Sequence, residues 1–360
     1  MLSPPAADAS QPIRRLLVVR MSAMGDVIHA LPAVSALRCA FPNIHIGWLI
    51  ERRWWDLLSS SNQDGPRGPQ QPLADSIHAV DTKKWRKEMF SRATNQEFFA
   101  AIRELRHQHY DAAIDFQGLL RSAMFARFSL APCRYGFAQP REHAARFFYT
   151  DSVPATGTHV IEQNISLASA FAAHPLSRSP SELPIHPDAE ARVALRLDAL
   201  AISRFAILNP GAGWNAKQWP AERYGLVARA LSGIGYAALV NFGPGEQSLA
   251  DAVISSSGGT AHAFPCTLSE LIALTRHAAL FIGGDTGPMH LAAVLGIPVV
   301  AIFGPTDPAR NGPFGTRSTV LRDPLSRTDH SRHALDPGIA RITVDQVVSA
   351  AQKLLEPLND

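Results

Sequence analysis

The alternation of short apolar segments with helical segments constrains the fold of this chain most strongly. Residues 16–19 form an apolar run, and after a turn of small residues the apolar positions of 27–37 recur at helical spacing. A second apolar run follows at 44–50. Because parallel strands need a crossover connection between them, these three segments predict a βαβ unit. Further strands predicted at 77–80 and 112–114 extend the sheet.

The same alternation restarts in the second half of the chain. A chain of 360 residues exceeds the size at which one hydrophobic core usually stops growing. We therefore predict two α/β domains, each built on a doubly wound parallel sheet. The segments of the second half are strands at 205–208, 236–240, 280–282 and 299–302, and helices at 221–231, 249–254, 268–277 and 289–295. In the first half, helices are predicted at 97–107 and 118–128.

Proline-rich stretches supply the predicted boundaries. Residues 174–187 contain four prolines and predict the linker between the domains. Residues 59–75 lack an apolar period and predict a mobile surface loop. The predicted parts of the chain are a disordered leader at 1–12, an N-terminal domain at 13–185, a C-terminal domain at 186–335 and a terminal helical segment at 336–360.

Composition excludes several classes of protein. The three cysteines include no C-x-x-C pair, so they indicate neither a disulfide framework nor a structural zinc site and fit a reducing compartment. The sequence has no secretory signal pattern and no apolar run of about 18 residues, which predicts a cytoplasmic protein. The formal net charge of +3 is small. Without a recognition motif or a one-sided basic excess, binding to nucleic acid is not predicted.

The turn after the first strand carries the first candidate site. Ligands of parallel sheets bind at the carboxyl ends of the strands, and this turn reads M-S-A-M-G-D, ending in Asp26. Gly25 permits tight backbone geometry. Asp26 is a candidate functional carboxylate, and a helix N-cap is the alternative interpretation of a lone aspartate in such a turn.

A glycine-rich loop near the start of the second half carries the second candidate site. Gly211, Ala212 and Gly213 let backbone N–H groups approach an anion, and Lys217 supplies a positive charge. The loop also satisfies the G-x-G-x-x-A form of the dinucleotide fingerprint. However, Asn241 stands where an acidic residue would bind ribose. A glycine-rich turn with an exposed lysine is the alternative.

The segment G-G-D-T-G-P-M-H after the strand at 280–282 is the third candidate. A helix is predicted to begin at Thr286 or Gly287 with a proline in its first turn, and a helix N-terminus favours anions. Thr286 and His290 are four residues apart, which predicts that both reach one bound group. A satisfied structural histidine is the alternative for His290 alone. Two anion-suited loops in one half favour a diphosphate ligand.

Basic residues cluster in the first half, and several catalytic motifs are missing. The segment K-K-W-R-K at 83–87 and the scattered arginines fit phosphates of an acceptor or a membrane surface, or form a solvated face. The lack of G-x-x-x-x-G-K-[ST], G-x-S-x-G and H-E-x-x-H motifs argues against P-loop NTPases, serine hydrolases and zincins. The lack of a D-x-D pair predicts no metal site. Lys217 and the helix N-terminus would then neutralise a leaving diphosphate.

Together these blocks resemble the ADP-heptose:lipopolysaccharide heptosyltransferases of glycosyltransferase family 9, from about residue 13 to the C-terminus. The most specific block, G-D-T-G-P-M-H-L-A-A-V-L-G-I-P-V-V-A-I-F-G-P-T-D-P at 284–308, is similar to the family's donor-site signature. The blocks M-S-A-M-G-D-V-I-H-A-L-P-A at 21–33 and D-F-Q-G-L-L-R-S at 115–122 are similar to type I members. The resemblance implies a GT-B fold, in which two Rossmann-like domains face a cleft, and sugar transfer with inversion.

The resemblance also implies roles for individual residues. Asp26 would be the general base, Glu246 would contact the donor's ribose and Asp285 would lie near the transferred sugar. Residues at the donor diphosphate would be Gly211, Ala212, Gly213, Lys217, Thr286, Gly287 and His290. Residues at the acceptor's Kdo carboxylates and phosphates would be Lys83, Lys84, Lys87, Arg121 and Arg141. The family often has hydroxyl residues where this chain has Gly211, Ala212 and Gly213, so backbone N–H groups would make those contacts here.

The predicted function is transfer of L-glycero-D-manno-heptose from ADP-heptose to the Kdo region of lipid A. It would need neither cofactor nor metal and would take place at the cytoplasmic face of the inner membrane. A type II acceptor, or another acceptor of the family, stays open. Two other classes also stay open: an NAD-dependent Rossmann oxidoreductase, and a nucleotide-sugar sensor that releases no ADP.

Overall fold

The structure of the protein, a computed structural model, describes residues 13–61, 65–88, 90–328 and 336–356. The predicted leader at 1–12 lies outside these ranges. The chain divides into two compact units. Unit 1 comprises Met1–Gly157 and Ile161–Pro184, and unit 2 comprises Thr158–Val160 and Ile185–Asp360.

Unit 1 is built on a parallel sheet that has six strands within the described residues. In chain order these are β1 (Arg15–Val19), β2 (His45–Glu51), β3 (Ser76–Val80), β4 (Ala112–Asp115), β5 (Cys133–Phe137) and β6 (Asp151–Val153). Their order across the sheet is β3-β2-β1-β4-β5-β6, and every pairing is parallel. Residues 16–19 of the central strand β1 are fully buried, as expected when both faces of a parallel sheet are covered.

Helices follow the strands of unit 1 and begin at one edge of the sheet. They are α1 (Met24–Ala40), α2 (Thr82–Lys87), α3 (Arg92–His107), α4 (Leu120–Phe128) and α5 (Val160–Ala172), with 3-10 turns at Arg52–Leu57 and His143–Phe148. α1 follows β1, α2 follows β3 and α4 follows β4. Because parallel strands end at the same edge, the N-termini of these three helices lie along the carboxyl edge of the sheet.

Unit 2 repeats the architecture. Its strands in the described residues are β7 (Phe205–Asn209), β8 (Ala237–Val240), β9 (Ala261–Ala263), β10 (Leu280–Gly284), β11 (Val299–Phe303) and β12 (Ser318–Arg322). The order across the sheet is β12-β11-β10-β7-β8-β9, again with parallel pairings. Counted within each unit, both sheets have the strand order of a dinucleotide-binding fold, 3-2-1-4-5-6. The predicted α/β class with two doubly wound parallel sheets is confirmed.

The terminal helix of the chain belongs to unit 2. The helices of this unit are α6 (Pro187–Ala199), α7 (Ala221–Gly233), α8 (Gln247–Ser256), α9 (Leu268–His277), α10 (Gly287–Val294), α11 (Pro308–Asn311) and α12 (Val344–Leu355). α12 packs on α7 and buries Val347. Just before α7, the indole N–H of Trp219 donates to the carbonyl of Ile342 at 2.9 Å. The sequence pattern indicates the helix, and the structure adds its docking site.

The prediction of a surface loop at 59–75 is wrong in part. Ser59, Gln71 and Ala74 are buried. The side-chain amide of Gln71 donates to the carbonyls of Gly65 at 3.2 Å and Ala74 at 3.1 Å. Polar side chains can hold a segment inside a protein when they satisfy its backbone groups, and hydrophobic periodicity does not report such contacts.

Candidate functional site

Each sheet has one topological switch point, which is the place where the strand order reverses. This point lies between β1 and β4 in unit 1, and between β7 and β10 in unit 2. Ligands of doubly wound sheets bind outside the carboxyl ends of the strands at this point. Asp26 and Arg121 follow the strands at the first switch point, and Lys217 and Asp285 follow those at the second. The fold therefore places predicted site residues at the ligand position of each unit.

Asp26 lies in the first turn of α1. The N-cap residue is Ala23, and its backbone N–H donates to Asp26 Oδ2 at 3.3 Å. The interpretation of Asp26 as the N-cap is therefore wrong, because Asp26 reaches back to the cap from inside the helix. The carboxylate also binds two guanidinium groups. Arg20 Nη2 lies 2.7 Å from Oδ1, and Arg141 donates to Oδ1 at 2.9 Å and to Oδ2 at 3.1 Å.

The two arginines control the protonation of Asp26. Burial alone would raise the pKa of this carboxyl group, but the charges of Arg20 and Arg141 outweigh burial and hold the pKa well below its usual range. Asp26 is therefore ionised at neutral pH, as a general base must be. A low pKa also makes this carboxylate a weak base.

Sequence reasoning missed Arg20, the residue directly after β1. Its side chain is 1% exposed. Its Nε donates to the backbone carbonyl of Asp26 at 3.0 Å, and its Nη1 donates to the carbonyl of Phe116. A lone basic residue directly after a buried apolar run is the signal that points to it. Arg141, which the resemblance assigns to the acceptor, instead binds Asp26 in this structure.

The segment at 115–122 lies at the same switch point, where hydrogen bonds to Asp115 fix its backbone. Asp115 is fully buried. It accepts hydrogen bonds from the hydroxyls of Ser122 and Tyr149, both at 2.8 Å, and from the backbone N–H groups of Gln117 at 2.8 Å and Gly118 at 3.2 Å. Burial raises the pKa of Asp115, although these hydrogen bonds oppose the shift. Asp115 is thus a buried carboxyl group that fixes the loop between β4 and α4.

The other predicted acceptor residues differ in whether a carboxylate pairs with their charge. Lys83, Lys87 and Arg121 are exposed at the carboxyl edge of the unit 1 sheet. Lys84 differs because its Nζ pairs with Glu97 Oε1 at 2.6 Å. Lys84 is thus already paired within unit 1, whereas Lys83, Lys87 and Arg121 present exposed charges along this edge.

Two asparagines brace the glycine-rich loop after β7. Asn209 Nδ2 donates to the carbonyl of Gly211 at 3.1 Å, and Asn241 Nδ2 donates to Asn209 Oδ1 at 2.8 Å. Gly211 packs against Glu246, because a Cβ at Gly211 would lie 2.3 Å from the Glu246 carboxyl atoms. Glu246 Oε2 in turn accepts from the Gly243 N–H at 2.7 Å. Only glycine at position 211 leaves room for this carboxylate.

The glycine-rich loop does not lead directly into a helix. Asn215–Lys217 form a 3-10 turn, and α7 begins only at Ala221, after Pro220. A dinucleotide fingerprint needs its glycines at the helix N-terminus. The G-x-G-x-x-A match is therefore not such a fingerprint. Within the loop, Ala212 is half-buried and Gly213 is exposed.

Lys217 lies in a charged cluster at the unit 2 switch point. Its Nζ lies 2.6 Å from Asp285 Oδ2 and 4.7 Å from the centre of a Trp214 ring. The other carboxylate oxygen, Asp285 Oδ1, lies 3.2 Å from His290 Nε2. Burial would raise the pKa of Asp285, but His290 and Lys217 outweigh it and hold the pKa well below its usual range. Lys217 is 14% exposed, so the alternative of an exposed lysine is wrong.

α10 begins beside this cluster. Its N-cap is Thr286, with Gly287 and Pro288 in the first turn, and the Thr286 side chain makes no cap hydrogen bond. The Thr286 hydroxyl donates to the carbonyl of Gly284 at 3.3 Å, whereas the His290 ring faces Asp285. That both side chains reach one bound group stays a prediction.

Comparison with known proteins identifies the family. Residues 98–336 match the sequence profile of the family described as Glycosyltransferase family 9 (heptosyltransferase). This match spans more than half of the chain. The chain belongs to glycosyltransferase family 9. The resemblance seen in the sequence is confirmed, and this family 9 chain is a glycosyltransferase.

Relatives and a solved structure cover most of this family 9 glycosyltransferase. Lipopolysaccharide heptosyltransferase 1 of Pseudomonas aeruginosa is 27% identical over 310 residues, which is 85% of this chain and 82% of the relative. Lipopolysaccharide heptosyltransferase 3 of Escherichia coli is 26% identical over 348 residues, 92% of this chain and 96% of the relative. The structure of E. coli heptosyltransferase WaaC with ADP has a TM-score of 0.78 at 24% identity, covering 94% of this chain and 99% of that one. The structural match shows the GT-B fold, and the two relatives do not separate type I from type III.

Proposed function

We propose that this family 9 glycosyltransferase transfers L-glycero-D-manno-heptose from ADP-heptose to the Kdo region of lipid A, a step of lipopolysaccharide core synthesis. The observation that carries the proposal is Lys217, held by Asp285 beside the start of α10 at the unit 2 switch point. A fixed cation near a helix N-terminus suits the diphosphate of a nucleotide sugar. The ADP in the WaaC structure and the names of the two relatives support this donor and this pathway.

The proposed donor contacts lie on unit 2. Lys217 and the N-terminus of α10, with Thr286 and Gly287, neutralise the charge that develops on ADP as it leaves. The backbone of the loop at 211–213 approaches the phosphates. The carboxylate of Glu246, fixed beside this loop, binds hydroxyls of the ribose. Asp285 holds the lysine and lies beside the transferred sugar.

Gly211→Ala is expected to weaken ADP binding about tenfold, because it displaces the Glu246 carboxylate from the proposed ribose contact, and a hydrogen bond to a charged group contributes about 1.5 to 3 kcal/mol. The added Cβ would lie 2.3 Å from the Glu246 carboxyl atoms and must displace that side chain. Gly233→Ala is the matched control, because Gly233 lies at the end of α7 and, apart from its chain neighbours and the helix's own backbone, no described atom lies within 4 Å of its added Cβ. Calorimetric titration with ADP measures both variants. Equal affinities in the two variants would contradict the proposed role of Glu246.

The proposed chemistry on unit 1 is general-base catalysis by Asp26. The proton of the acceptor hydroxyl passes to the Asp26 carboxylate while the acceptor oxygen forms a bond to the anomeric carbon. The bond from that carbon to the diphosphate oxygen breaks, and its electron pair leaves with ADP. A single displacement of this kind inverts the configuration at the anomeric carbon.

The proposed acceptor is of type I, and it is anionic. The blocks at 21–33 and 115–122, which are similar to type I members, occupy the unit 1 switch point together with Asp26. Lys83, Lys87 and Arg121, exposed along the same edge, suit the carboxylates and phosphates of Kdo and lipid A.

Chelation of divalent metal is expected to leave the reaction rate unchanged within about twofold, because Lys217 and the α10 N-terminus supply the positive charge that a metal would otherwise supply. In the described ranges, no three histidine, cysteine, aspartate or glutamate side chains group closely enough to hold a metal ion. Mass spectrometry of Kdo₂-lipid A incubated with ADP-heptose and enzyme in chelator tests the function. The expected product has gained one heptose.

Results of other measurements would replace the proposal. Transfer only to a lipid A core that already carries heptose would indicate another type within the family. Binding of ADP-heptose with no release of ADP would indicate a sensor.

We also propose that the enzyme works at the cytoplasmic face of the inner membrane. The helices in the described parts of the chain lack the length and apolar character that a membrane span requires. Exposed basic residues of α2, including Lys83 and Lys87, suit the anionic headgroups of a membrane that presents the lipid acceptor.

A further inference from the structure

Arg20 brings a positive charge into the interior of unit 1. Its guanidinium contacts the Phe116 carbonyl after β4 and both the carbonyl and the carboxylate of Asp26 in α1. The backbone carbonyl of Arg20 also accepts from the Trp48 indole of β2 at 3.1 Å. Arg20 therefore links three neighbouring strands to the first turn of α1, and the contacts with Phe116 and Asp26 hold its guanidinium in one position.

The burial of this charge needs an explanation. A buried guanidinium is costly unless a carboxylate pairs with it. Asp115 lies nearby, but it accepts hydrogen bonds from Ser122, Tyr149 and two backbone N–H groups. Among the described residues, Asp26 is the sole carboxylate in salt-bridge contact with Arg20. Buried ion pairs often stabilise a fold no better than apolar side chains do. The position that Arg20 gives to the Asp26 carboxylate therefore explains a buried arginine here better than fold stability does.

The two oxygens of Asp26 have different surroundings. Oδ1 contacts the buried Arg20 at 2.7 Å and the Nη2 of Arg141 at 2.9 Å. Oδ2 contacts the Nη1 of Arg141 at 3.1 Å and the Ala23 N–H at 3.3 Å. Arg141 is 43% exposed, whereas Arg20 is 1% exposed. Arg141 can therefore move into solvent or onto a ligand, and Arg20 cannot.

We propose that Arg20 is a positioning residue that holds Oδ1 of Asp26, so that Oδ2 is the oxygen that accepts the proton. The proposal rests on the proposed function of Asp26 as general base. Arg141 leaves the carboxylate when an anionic group of the acceptor binds it, and Oδ2 then meets the acceptor hydroxyl. The proton passes to Oδ2, the acceptor oxygen bonds to the anomeric carbon, and ADP departs with the electron pair of the broken bond.

The charges around Asp26 set the expected pH dependence. Burial raises the pKa of Asp26, and Arg20, Arg141 and His29 lower it. The charged or titratable groups that face the carboxylate or the residues around it are Arg20, His29, Asp115, Arg121 and Arg141. Removing Arg20 leaves the effect of burial and takes away one lowering charge, so the pKa of Asp26 rises. A base with a raised pKa becomes protonated at a higher pH, and activity is then lost earlier as the pH falls.

The test is kcat against pH for the wild type, Arg20→Met and Arg20→Lys, from the lowest pH at which each protein stays folded up to about pH 9. Arg20→Met is expected to lower the plateau of kcat about tenfold or more, because the carboxylate is no longer oriented. The wild type should keep its plateau to the acid end of the range, because the pKa of Asp26 is held well below its usual value. Arg20→Met should begin to lose activity at a higher pH than the wild type, with the KM for ADP-heptose within about twofold of the wild type. Arg20→Lys keeps the positive charge but lacks the planar guanidinium group. Its acid limb should therefore lie close to that of the wild type, and its plateau of kcat should recover only in part.

Arg38→Met is the matched control. Arg38 lies at the other end of α1, is 11% exposed and pairs with Asp75 at 2.5 Å. Its replacement removes a similar ion pair away from the switch point. The midpoint of thermal unfolding should fall, while the plateau of kcat and its acid limb stay as in the wild type.

The possible outcomes separate this proposal from the function on which it rests. A folded Arg20→Met with the plateau and acid limb of the wild type overturns the proposal. If Arg20→Met does not fold, a wild-type plateau in Arg20→Lys overturns it, and a lowered plateau with unchanged donor KM supports it. If Asp26→Asn itself turned over normally, the base assignment would fail instead.

Discussion

Asp26→Asn is expected to lower kcat about 10²-fold to 10⁴-fold, with little change in the KM for ADP-heptose. Asparagine has nearly the shape of aspartate, and its carbonyl can still accept a hydrogen bond from Arg20 or Arg141. Its amide cannot take the proton of the acceptor hydroxyl. The substitution therefore removes the proposed base while it keeps much of the local packing.

The measurement is the initial rate of ADP release, together with ADP affinity by calorimetry. Because Asp26→Asn leaves Arg20 without its buried counter-charge, the midpoint of thermal unfolding should also fall, and rates must be compared well below it. Asp345→Asn is the matched control, since Asp345 is an exposed aspartate in the first turn of α12. A normal rate in Asp26→Asn would exclude Asp26 as the base.

Lys217→Met is expected to reduce kcat/KM about 10²-fold to 10³-fold and to weaken ADP binding as well. Methionine has a similar length and can lie beside Trp214, but it offers no charge to the diphosphate. The substitution also takes the lysine partner away from Asp285, whose negative charge would then face the phosphates. Both changes disfavour the accumulation of charge on departing ADP.

Titration with ADP and steady-state rates measure this effect. Lys353→Met serves as the control, because Lys353 is an exposed lysine of α12 in the same unit. Its rate and ADP affinity should match those of the wild type. If Lys217→Met bound ADP as tightly as the wild type, Lys217 would not bind the donor diphosphate, and the main support for the proposed function would be removed.

Elements with a strong local pattern are predictable from the sequence. The helix predicted at 268–277 is α9 with the same bounds, because its start is fixed by a local cap in which the Thr267 hydroxyl accepts from the Glu270 N–H at 3.2 Å. The strands predicted at 205–208 and 299–302 are β7 and β11, each longer by one residue. All residues of both strands are buried, so their apolar runs are unbroken.

Elements without such a pattern are missed. No strand is predicted where β5, β6, β9 and β12 lie. β6 and β12 are edge strands, and neither contains a fully buried residue. Partly exposed strands tolerate polar residues, so they carry no continuous apolar run from which a strand could be predicted.

The sequence by itself determined the α/β class, the two parallel sheets and the loops that carry the candidate site residues. The reason is that the spacing of apolar residues within a short segment distinguishes a buried strand from a helix. Only the tertiary structure decided which charges meet. Asp26 and Arg141 are separated by 115 positions, and Lys217 and Asp285 by 68. Such partners depend on strand order and on burial, and these same factors set the pKa of each carboxylate. The sequence therefore indicates Asp26 as a candidate base, and the fold supplies the two arginines that keep it ionised.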